Sequence, residues 1–169
     1  RQLFVGLLLG GGVCAAQQLI ESLLTRTGWQ LNPEFKPHHL FESLWWHFKS
    51  VSFEELIFRG GLLYVALRRL GERRGVWLSA VAFGIYHWFS FGVFGNPAAM
   101  FFVFLMTCVA GWMFAHAFAK TKSLILPFAL HYGWNFVFIS FFSKGPLGNQ
   151  ILLPVKSGIS VPLEGLPSL

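Results

Sequence analysis

Apolar stretches of roughly 20 residues recur along this chain without the strict alternation of a strand, and that pattern leaves few ways to fold. In lipid every backbone N–H and C=O must be satisfied within a helix or a closed barrel, so these stretches predict transmembrane helices. The composition agrees: of 169 residues 54% are apolar, 12% are charged and 20 are phenylalanine. A soluble domain of this size carries about a quarter charged residues. The expected fold is all-α, a polytopic integral-membrane helix bundle of about five transmembrane helices in one domain, 1–169.

The segments run over about Leu3–Leu24, from between Leu40 and Val51 to near Leu70, then Val76–Phe94, Ala98–Ala119 and Leu124–Phe142. Gly6 and Gly10 form a GxxxG step suited to close helix packing. Leu3–Ile20 lacks an A-x-A-like cleavage site and reads as a retained helix rather than a signal peptide. Thr25–His39, with Pro33, Pro37 and the adjacent His38 and His39, reads as an exposed loop. The stretch 143–169 holds Pro146, Pro154, Pro162 and Pro167 and reads as a surface tail, because no continuous spanning helix accommodates them.

Arg68, Arg69, Arg73 and Arg74 flank a glycine-containing turn. With Arg1, Lys120 and Lys122 they mark one side as cytoplasmic, which puts the N-terminus inside. The net charge of +6 is therefore a topology signal. The lipid bilayer is an expected partner and nucleic acid is not. Cys14 and Cys108 make no CxxC pair and read as small packing residues.

Within this apolar frame Glu54, Glu55 and Arg59 stand out, because an ionisable residue at membrane depth marks a functional site by default. On a helix Glu55 and Arg59 share a face and can pair, while Glu54 is turned about 100° away. The geometry assigns structure to Glu55 and Arg59 and chemistry to Glu54. His87 lies in another apolar segment, one turn after Phe83, which can wall a pocket or buttress the imidazole. His131 and Asn135 share a face of a third segment, and both can donate hydrogen bonds to an oxygen. Gly133 between them makes room for a neighbouring helix or a substrate backbone. His116 has no such companion and reads as structural. At 1.5 Å per residue Glu54, His87 and His131 fall roughly 24, 18 and 12 Å from the cytoplasmic ends of their segments, a spread that tilt and unequal protrusion must absorb for one site.

EExxxR, then FxxxH, then HxxxN, in that order across about Val51–Phe142, resembles the CPBP (Abi) family of intramembrane proteases, which includes the type II CAAX prenyl endopeptidases. The resemblance implies a catalytic centre of Glu54, His87, His131 and Asn135, supported by Glu55, Arg59 and Phe83. Glu54 would act as general base on a water, His87 would orient it or shuttle its proton, and His131 and Asn135 would stabilise the oxyanion. Zinc held by Glu54, His87 and His131 is the alternative use of the same residues. The implied partner is a peptide or protein substrate reached from the membrane, and the compact form points to a bacterial inner (cytoplasmic) membrane. Two rivals stand beside this reading: a non-catalytic immunity or scaffold protein of the same fold, and a small proton-coupled transporter.

Overall fold

The computed structural model describes residues 1–156. Helix α1 spans Gln2–Thr25, strand β1 Thr27–Leu31, helix α2 Pro37–Glu55, α3 Tyr64–Ser90, α4 Pro97–Thr121, α5 Ile125–Val137 and strand β2 Leu152–Lys156. Two π-helical segments, Leu56–Leu63 and Phe138–Phe142, continue α2 and α5. The fold is that of an all-α membrane protein. By length and apolarity Gln2–Thr25, Pro97–Thr121 and Ile125–Phe142 can each cross a membrane. Contacts divide the chain into two compact units, one of Arg1–Leu3 with Ser50–Ala129, the other of Phe4–Lys49 with the chain from Leu130 onward.

The first unit is organised by a helical hairpin. Helix α3 is two helices joined at Gly71, whose φ of 80° and ψ of 172° are closed to residues bearing a Cβ. The arms run antiparallel, as Ser79 Oγ donates to the Phe58 carbonyl at 3.0 Å and Phe58 packs edge-on to Phe83 at 5.1 Å. The turn sits inside the Arg68–Arg74 cluster, where the charge pattern places it. Glu54 and His87 lie almost equally far in sequence from Gly71 on opposite arms. Counted from the turn at Gly71 rather than from Val76, the two residues fall at matching distances along their arms. Helix α4 packs along the returning arm, with Leu63, Val76, Ala115, Phe118 and Ala119 forming a buried cluster. Its start follows from Asn96-Pro97: Asn96 Oδ1 accepts from the Ala99 N–H at 3.2 Å, and Pro97 occupies a position that needs no donor.

The second unit contains α1, most of α2, the later part of α5 and the two strands. Gly10 lets α1 approach α5 closely, because a Cβ on it would collide with the Leu130 carbonyl. Helices α2 and α5 meet along Ser43–Ser140, at 2.6 Å between hydroxyls, and through Tyr132, whose hydroxyl donates to the Leu44 carbonyl at 3.2 Å.

The expected loop Thr25–His39 is more ordered than its proline content suggests. Thr27–Leu31 pairs antiparallel with Leu152–Lys156, placing Trp29 opposite Pro154, and the tail up to residue 156 is thereby tied down rather than loose. A proline is tolerated because a two-stranded ribbon leaves one edge of each strand unpaired. His38 and His39 belong to the first turn of α2, not to a loop. Pro162 and Pro167 lie outside the described residues. Replacing Gly10 with Ala should overpack the α1–α5 contact and lower stability by about 1–3 kcal/mol. Thermal unfolding in detergent measures this, and an unchanged midpoint would refute the close approach.

Candidate active site

Glu54 and Glu55 end α2, and Arg59 sits in the π-helical segment that follows; all three are buried. Arg59 Nη1 donates to Glu55 Oε1 at 3.0 Å, and Nη2 donates to the Gly111 carbonyl at 3.2 Å. The guanidinium carbon lies 4.4 Å from the Phe83 ring centroid, 5.2 Å from Phe114 and 5.9 Å from Phe58. A charge taken wholly out of water needs such compensation, here a carboxylate, a carbonyl and three aromatic rings. The local departure from α geometry was not expected from the motif, although Gly60-Gly61 makes it easy. Wide turns of this kind are frequent at functional sites.

Glu54 has a different environment. Ser50 Oγ donates to its Oε1 at 3.3 Å, and its Oε2 lies 3.8 Å from His87 Nε2. That gap exceeds a direct hydrogen bond but suits one bridging water. His87 Nδ1 is 2.7 Å from the Phe83 carbonyl. A carbonyl only accepts, so Nδ1 carries the proton and Nε2, on the Glu54 side, is the basic nitrogen of the neutral ring. The Phe83 ring lies 4.4 Å from the imidazole, with Tyr86 and Phe91 edge-on at 5.2 Å. Glu54, His87, Glu55, Arg59 and Phe83 are thus brought together within the first unit.

His131 and Asn135 stand one turn apart on α5 in the second unit, the former buried and the latter half-buried. Gly133 between them serves helix packing, since its Cβ would fall 2.6 Å from the Leu7 carbonyl oxygen of α1. One residue escaped the sequence reading. His47 is fully buried on α2, edge-on to Tyr132 and Phe136 at 6.4 Å, and neither ring nitrogen has a hydrogen-bond partner among the described residues. Its seven-residue spacing from Glu54 on one helix is the signal that could have found it.

Glu54 and His87 are suitable donors for zinc: a carboxylate and an imidazole whose other nitrogen is fixed by a backbone carbonyl, as in ligating histidines. Elsewhere, His38, His39 and Glu42 hold one ligand atom each within 4.8 Å of one another near the start of α2. The Lys36 N–H already donates to His39 Nδ1 at 3.2 Å there.

The family model for type II CAAX prenyl endopeptidase, Rce1-like, matches residues 37–137, more than half of the chain and all three motifs. No curated protein and no solved structure matches.

Arg59→Ala strands Glu55 as a buried charge and should cost about 3–5 kcal/mol. The double variant Glu55→Leu/Arg59→Met should recover much of that loss, since an apolar pair of similar volume needs no compensation. Unfolding midpoints of the two in one detergent provide the check. A single variant within 1 kcal/mol of the parent would contradict the pairing described.

Proposed function

Because the chain belongs to the Rce1-like type II CAAX prenyl endopeptidase family, we propose that it is an intramembrane endopeptidase using a glutamate-activated water. The observation that carries this reading is the buried Glu54–His87 pair, 3.8 Å apart, with the imidazole proton pinned on the far nitrogen. A water held between Oε2 and Nε2 gives up a proton to Glu54 as its oxygen attacks the scissile carbonyl carbon. His87 Nε2 accepts a hydrogen bond from the water's other O–H, which stays on the oxygen, and so aims its lone pair. The oxyanion of the tetrahedral intermediate is assigned to His131 and Asn135, whose N–H groups can donate to it. As the C–N bond breaks, Glu54 returns its proton to the leaving amine. Glu55 and Arg59 hold the end of α2, and Phe83 anchors His87 through its carbonyl and ring.

Zinc, if bound, would be held by Glu54, His87 and His131 and would supply Lewis-acid polarisation of the water. The chain's own residues account for the proton transfers without it, and that is the version we favour. We place the protein in a bacterial inner membrane with five spans, the arms of the Gly71 hairpin forming the second and third. The substrate is a peptide or protein reached from the bilayer, cleaved within or beside it.

The test is cleavage of a panel of membrane-segment and prenylated CAAX peptides by the full chain in lipid nanodiscs. Glu54→Ala and His87→Ala should each lower turnover by about 10²–10⁴-fold, the contribution of a positioned acid–base group. Turnover undiminished in Glu54→Ala would sink the mechanism. Metal analysis with chelator controls on the active preparation separates the two versions: full activity without metal excludes zinc.

A further inference from the structure

The hairpin's turn end carries a polar site of its own, remote in sequence from Glu54. Between the returning arm of α3 and the last turns of α4 runs an open groove of about 370 Å³, lined by Glu72, Arg73, Trp77, Trp112 and His116. That volume lies within the range of about 300–1,000 Å³ typical of small-molecule sites. Trp77 and Trp112 are 51% and 39% exposed, with ring centroids 6.3 Å apart, so much of both indoles remains open to an occupant. Trp112 also packs against His116, the two rings tilted at 49° with centroids 4.1 Å apart. Glu72, the acidic residue of the lining, is tied across to Lys120 at 2.7 Å. That hydrogen bond holds its carboxyl below the usual carboxylate range, so it stays ionised and matched by the ammonium. Arg73 has no such carboxylate among the ion pairs of the described residues, and the exposed Arg68, Arg69 and Arg74 surround the same turn.

We propose that this groove binds the headgroup of an anionic phospholipid, with Arg73 on the phosphate and the two indoles against the glycerol and upper acyl region. Helix α4 is long and apolar enough to span, and Lys120 in its last turn marks the membrane edge where headgroups lie. Indoles prefer that layer, because their flat apolar bodies and single N–H suit a boundary between hydrocarbon and water. A guanidinium matches a phosphate with two parallel hydrogen bonds. Basic pockets between helices on the cytoplasmic side are suited to anionic headgroups. A zwitterionic headgroup would instead bring its ammonium among four arginines, which disfavours it. His116 adds a hydroxyl preference. Its Nδ1 donates to the Trp112 carbonyl at 3.3 Å, leaving Nε2 as the acceptor of the neutral ring for a headgroup O–H.

Native mass spectrometry of the full chain in detergent, titrated with phosphatidylglycerol or phosphatidylcholine, tests the proposal. One phosphatidylglycerol should be retained in preference to phosphatidylcholine. Arg73→Glu and Trp112→Ala should each weaken that retention by about fivefold or more. Arg69→Glu, an equal charge change outside the groove, should leave it near the parent value. Arg73 is exposed, so Arg73→Gln provides a variant that leaves the packing intact. Equal loss in Arg69→Glu and Arg73→Glu would reduce the effect to general surface charge and overturn the site. Equal retention of the two lipids would overturn it as well.

Discussion

The buried Arg59 guanidinium is the interaction on which the first unit depends. Its partners come from three elements: Glu55 at the end of α2, Phe83 on the returning arm of α3, and Gly111 with Phe114 on α4. A charge with 0% exposure cannot be released to water without opening all three contacts. The pair therefore gives the packing a definite register, a role that buried ionic groups have in some proteins although an apolar replacement can be equally stable. Glu54 is one residue away on a helix end fixed by that pair, and His87 is one turn from the phenylalanine stacked on it. The Glu54–His87 pair is positioned by the Glu55–Arg59 pair.

Much of this arrangement was readable in the residues. The four-residue spacing of Glu55 and Arg59 predicts their bond, the arginine cluster predicts the turn at Gly71, and Asn96-Pro97 predicts the start of α4. Each is a local rule, decided by neighbours in sequence. The rest depended on distant partners. The strand Thr27–Leu31 exists because Leu152–Lys156 pairs with it, and five residues among prolines give no periodic signal of their own. In the π-helical turn after Glu55, the Phe58 carbonyl is met by Ser79 from the opposite arm, a partner that no local pattern announces. The burial of His47 has a related cause: its spacing from Glu54 is in the sequence, but Tyr132 and Phe136 of α5 are what pack against it.

The two glutamates show how adjacent, chemically identical groups acquire different duties. Glu55 accepts a hydrogen bond from the Arg59 guanidinium at 3.0 Å and is committed to that pair. Glu54 instead accepts from the Ser50 hydroxyl and lies 3.8 Å from His87 Nε2. The ion pair suits Glu55 to holding the helix end, and under the proposed mechanism Glu54 is the group that accepts and returns a proton.

The Gly71 hairpin also works as a ruler with its zero at the turn. Glu54 and His87 meet because they are read off at matching marks on two antiparallel arms. Inserting one residue in either arm would move every later mark by about 1.5 Å and rotate it by about 100°. Length changes between positions 54 and 87 are thus constrained even where the side chains are exposed and free to vary. The exposed arginines at the turn can change identity more readily than the turn can change length.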